Sequence, residues 1–123
     1  MAGTLVANTI NTDTGLFSTQ NAYSGIAKAW VVYNGSTSTL INSFNVSSVT
    51  KVGTGDYTVN FTTAMPNANY SITSNSQFLA GNILLTGPKT STAPTTTTCE
   101  FYVANPSQTL VDSSLFTASI FGN

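Results

Sequence analysis

Four carboxylates (Asp13, Asp56, Glu100 and Asp112), three lysines (Lys28, Lys51 and Lys89) and one thiol, Cys99, are the side chains of this 123-residue chain that could act as acids, bases or nucleophiles. The chain has no His and no Arg. A Ser-His-Asp triad, a Cys-His pair, a histidine metal site and an arginine clamp on phosphate are therefore out of reach. What remains is a pair of acids, since Asp56 and Glu100 could flank a glycosidic bond as two carboxyl groups do in most glycosidases. Asp56, however, directly follows Gly53-Thr54-Gly55, where a carboxylate bonding to turn amides is the ordinary arrangement. Asn11-Thr12-Asp13-Thr14-Gly15 offers one carboxylate, whereas a calcium loop supplies several and ends on a bidentate Glu. Cys99 permits no internal disulfide and lies in an alternating stretch, the setting of a small buried hydrophobe. No catalytic residue, metal or cofactor is expected.

Aromatic side chains are the other candidates for recognition. Tyr33 and Tyr102 are expected to be exposed and could stack on a sugar, a common use of aromatics with a polar rim, whereas Trp30 is expected in the core or in a contact between chains. That pair carries a second reading, a carbohydrate-binding module. Charge argues against other partners. Charged residues make up 6% of the chain, with a net charge of −1, where soluble domains average about 25% charged. Three scattered lysines form no patch for nucleic acid. No apolar run approaches the roughly 20 residues of a spanning helix, so no membrane insertion is expected. A surface with so little repulsion favours self-association.

The elements that must position these residues are strands. Thr, Ser and Asn fill 50 of the 123 positions; Thr favours strands, Ser and Asn favour turns, and the strong helix formers are scarce. Residues 1–22 show neither a period of two nor one of 3.6. They read as an extended N-terminal attachment arm, with Leu5, Val6, Ile10 and Phe17 as its contact residues. From residue 23 to 123 the pattern is that of one β-sandwich, jelly-roll-like, of about eight antiparallel strands. Ala27, Ala29, Val31 and Tyr33 share one side of a strand that Asn34-Gly35 ends, and Leu40, Phe44 and Val46 share a face of the next. Tyr57, Val59 and Phe61 alternate with Thr58, Asn60 and Thr62 in a hairpin over 48–63. Further strands begin at Tyr70, span 82–86 with Gly87-Pro88 as the stop, set Cys99, Phe101 and Val103 inward, and end the chain with Phe116, Ala118 and Ile120 on one face.

The runs AKAWVVYNGS, SFNVSSVTKVGTGDYTVNFTTAMPNANYSI and DSSLFTASIFGN resemble the C-terminal module of tail-fibre and related virion structural proteins of tailed bacteriophages. The resemblance covers residues 24 to 123, loosely over 77–98, and GTGDYTVNFTTAMPNANY is its most specific stretch. It implies a non-enzymatic virion protein, commonly a homotrimer, that contacts other virion proteins or a host surface glycan or protein. The module itself leads to the expectation of a fibre-like or head-fibre surface protein, and the short extension of about 23 residues ahead of it, too little for a long shaft, makes a capsid decoration (cement) protein the alternative.

Overall fold

The computed structural model describes residues 3, 9–12, 15–18, 25–77, 83–89 and 91–122. Every named element is a strand. In the N-terminal segment β1 (Thr9–Thr12) and β2 (Gly15–Ser18) pair antiparallel, with Ile10 opposite Phe17. Leu5 and Val6, and Asp13 of the weak calcium motif, lie outside the described residues, as do the side chains of Ile10 and Phe17.

Eight further strands form two four-stranded antiparallel sheets. The first sheet has the order β4-β3-β10-β7, from β3 (Ala29–Asn34), β4 (Thr39–Phe44), β7 (Ser71–Ser76) and β10 (Phe116–Phe121). The second has the order β5-β6-β9-β8, from β5 (Val46–Gly53), β6 (Asp56–Phe61), β8 (Leu85–Pro88) and β9 (Thr98–Ala104). The expected sandwich is thus present. Its winding departs from a jelly roll in that the successive pairs β3–β4, β5–β6 and β8–β9 each stay within one sheet.

Strict alternation builds the core. In β3, β6, β9 and β10 every second residue is buried, which a pleat with one covered face requires. Register then matches residue sizes. Tyr33 lies opposite Phe116 in the first sheet and Tyr57 opposite Phe101 in the second. The four rings meet between the sheets, Tyr33–Tyr57 at 5.3 Å, Tyr57–Phe116 at 5.6 Å and Phe101–Phe116 at 5.1 Å between centroids. Tilted and edge-on pairs of this kind contribute roughly 0.5–1.5 kcal/mol each beyond their burial. Toward the other end the inward residues of the first sheet become Val31 with Ala118 and Ala29 with Ile120.

Two corrections to the sequence reading concern strand ends. Leu40 and Phe44 do not share a face. A register shift between Val32 and Tyr33 leaves Ile41 as an extra residue, so Leu40 lies opposite inward Tyr33 while Phe44 lies opposite outward Trp30; a bulge reverses the alternation beyond it. The strand placed at 82–86 instead runs Leu85–Pro88 and includes the proline. Being an edge strand, β8 has a side that needs no donor, where Pro is tolerated.

The chain passes between the sheets at Asn45, which sits in the left-handed region with φ 53°, a conformation Asn tolerates better than most residues. Its side-chain amide donates to the carbonyls of Lys28 and Thr63, and its Oδ1 accepts from the Thr63 amide at 2.8 Å. This one residue fixes the corner by bonding both strands' neighbours.

Candidate functional site

Five of the chain's seven charged side chains converge in two clusters. In the first, Asp112 accepts from Lys51 Nζ at 2.6 Å, from the Gly55 amide at 3.0 Å and from the Tyr57 hydroxyl at 2.9 Å. Lys51 also donates to the Gly35 carbonyl at 2.9 Å, and the Gly35 amide donates to Ser113 O at 2.8 Å. One carboxylate and one ammonium therefore tie the β3–β4 turn, β5, the β5–β6 turn and the segment before β10 into a single knot at the aromatic end of the core. Both glycines are obligatory here. A Cβ on Gly55, whose φ is +63°, would stand 2.4 Å from Val103 O, and one on Gly35 would overlap the Tyr57 hydroxyl.

The second cluster lies on the outward side of the second sheet. Lys89 Nζ lies 3.0 Å from Asp56 and 3.2 Å from Glu100, and 4.9 Å from the Tyr102 ring centroid. The Lys89 amide donates to Glu100 O at 2.8 Å, which continues the β8–β9 ladder and sets the side chain across β9. Asp56 thus bonds to a distant lysine, and it is Asp112 that accepts from the turn amide at Gly55.

Asp112, Tyr57, Cys99 and Lys89 are each held away from the neutral range that acid–base catalysis uses. Burial alone would raise the Asp112 pKa, but the bonds from Lys51, Gly55 and Tyr57 outweigh it and hold the carboxyl below its usual value. Burial, with the hydrogen bond to Asp112, pushes the Tyr57 phenol up. Burial pushes the Cys99 thiol up to about 12, and the thiol is 1% exposed, in keeping with a small core hydrophobe. The bond to Asp56, then that to Glu100, raises the Lys89 ammonium. An ionised Asp112, a neutral Cys99 thiol and a protonated Lys89 are the forms that hold structure together.

The expected aromatic platform is not assembled. Tyr33 is 1% exposed and packs edge-on against Tyr57, because its place in the alternation puts it on the same inward face as Ala29 and Val31. Tyr102 faces outward and is half-buried, with Lys89 over its ring. The two tyrosines therefore face opposite sides of the sandwich wall and cannot share a ligand. Trp30 is half-buried on the outward side of β3, opposite Phe44.

A groove of about 610 Å³ opens at the corner formed by Asn45. Ile26, Lys28, Phe44, Met65 and Pro66 line it with Asn45. Ile26 and Phe44 are more than half exposed. Sequence reasoning missed this feature, since its walls come from three segments that only the fold brings together. Its one sequence signal was Met65-Pro66 interrupting the strand pattern. In comparisons with known proteins, no family model, no curated protein and no solved structure matches the chain.

Proposed function

We propose that this chain is a non-enzymatic structural protein of a tailed-bacteriophage virion, a tail-fibre-like or head-fibre surface protein that mediates attachment to the host or the particle and works as a homotrimer. The reading is carried by where its sequence resemblance falls. AKAWVVYNGS covers β3 and its turn, the long second run covers the Asn45 corner and the whole β5–β6 hairpin, and the last run covers Asp112 through β10. These are the positions with least freedom: Asn45 and Gly55 at positive φ, Gly35 against Tyr57, and Asp112 holding three donors. Likeness at such positions reports a shared framework rather than a shared surface composition.

Two physical properties support the same reading. Lys51, Asp56, Lys89, Glu100 and Asp112 are engaged in structural bonds, and little of the stability of the described residues rests on exposed charges that salt would screen. Electron cryo-microscopy of particles carrying this chain, together with antibody labelling, tests the proposal. Density for the sandwich on a fibre, at the tail or the head, is expected. A regular array on the capsid shell would instead assign it to decoration, and absence from purified particles would refute a virion role.

A further inference from the structure

The edges of the two sheets are defended differently. An open edge displays unpaired amides and carbonyls, and proteins blunt such edges with charges, prolines, bulges or short strands. In the second sheet β8 has four residues and includes Pro88, while β5 carries Lys51 and two register shifts. In the first sheet neither edge has a charge or a proline, and its one register shift leaves Ile41 out of the ladder on β4. The β7 edge exposes only Ser71, Thr73 and Asn75. On the β5 and β8 edges Val52 and Leu85 are exposed one to a strand, whereas on β4 Ile41 and Phe44 are exposed together, at 55% and 53%. Phe44 adjoins outward-facing Trp30, and the apolar surface continues through Phe44 into the groove walled by Ile26.

We infer that the β4 edge of the first sheet, with Ile41 and Phe44 as its anchors, is the surface on which further copies of this chain dock. Charge selects the occupant. None of the four strands of the first sheet contains a charged residue, and Lys28 on the groove wall is already engaged, so a charged partner would give up its hydration without gaining a free opposite charge, a net loss. A second copy brings an equally uncharged strand, and a chain of net charge −1 repels itself only weakly. In a homotrimer three β4 edges face a common axis, and Ile41 and Phe44 from each are withdrawn from water. This inference rests on the assembly part of the proposed function; it does not depend on where the protein sits on a particle.

Static light scattering on the full chain over a range of concentrations tests it, with circular dichroism to confirm folding. The wild type is expected to show three chain masses, and Ile41→Lys/Phe44→Lys a single chain mass of 12.8 kDa. Asn42→Lys, at an exposed polar position of the same strand, is expected to dissociate the assembly as well, and it decides the matter if the double variant does not fold. Val52→Lys is the control, at a residue 62% exposed on the β5 edge, and it is expected to keep the wild-type mass. A monomeric wild type, assembly that survives the β4 substitutions, or dissociation by Val52→Lys would each overturn the inference. A trimer absent from virions would leave it standing and refute only the virion reading.

Discussion

The strands of the first sheet contain no charged residue, whereas those of the second hold Lys51, Asp56 and Glu100, with Lys89 directly after β8. Both sheets bury one face by the same alternation, so the difference lies outside the core. On the second sheet each of these charges has partners, and an outward amide network joins Asn60 to Ser48 and Thr50. Its charged side chains all find their partners within one chain. The first sheet has packing and hydroxyl groups but no ion pair, and at β4 it leaves Ile41 and Phe44 in water together, where the second sheet exposes Val52 and Leu85 on two separate edges. A β-sandwich with very few charges thus concentrates them where they lock the fold, and the sheet left without them becomes the one suited to contact.

The strongest way to break this contrast is to remove the carboxylate at the centre of the knot. Asp112→Ala leaves the Lys51 ammonium with the Gly35 carbonyl but no counter-charge, and the Gly55 amide and the Tyr57 hydroxyl without their acceptor, at a cost of about 3 kcal/mol. In calorimetry the unfolding midpoint is expected to fall by roughly 10 °C, and a shift below about 2 °C would show that the knot does not hold the fold. The acid limb sharpens the point. Although burial opposes it, bonding keeps the folded pKa of Asp112 below the usual carboxylate value. Its stabilisation is therefore present above about pH 4 and fades as the pH falls through the folded value. Wild type and Asp112→Asn, well separated at pH 7, are expected to converge in acid; a constant gap would contradict the linkage.

Smaller effects should follow on the outward side of the second sheet. Lys89→Met leaves Asp56 and Glu100 facing each other, lowers the unfolding midpoint by less than the Asp112 change does, and matters less in high salt. Light scattering should find its mass unchanged, because the second sheet is not the contact face. The smallest change runs the other way. Among the described residues Ser76 Oγ has no hydrogen-bond partner in its buried place opposite Phe116, so Ser76→Ala is expected to be neutral or to stabilise by up to about 1 kcal/mol in urea titration. Loss of stability there would mean that the hydroxyl has a role.

Much of this architecture is readable from periodicity. Eight strands, the β5–β6 hairpin, the inward sets Tyr57-Val59-Phe61 and Cys99-Phe101-Val103, and the sandwich class follow from a period of two. Features set by partners distant in sequence do not. Asp112 and Lys51 lie 61 residues apart, and nothing local to either predicts the pair. Tyr33 was expected outside because a phenol suits a surface, yet its slot exists only because Tyr57 meets it from the other sheet. The bulge at Ile41, which turns Phe44 outward, is invisible to simple alternation. The groove at Asn45 needs three segments at once. Pairing within each strand is local physics; which edge stays open depends on strand order.

Hydrogen exchange followed as a function of protein concentration tests the division of labour between the sheets most directly. As copies associate, amides of β4, from Thr39 to Phe44, are expected to gain protection, while those of β5, from Val46 to Gly53, exchange at the same rate throughout. Protection that rises along β5 or β8 instead, or a β4 edge that exchanges unchanged in an assembled sample, would contradict the account.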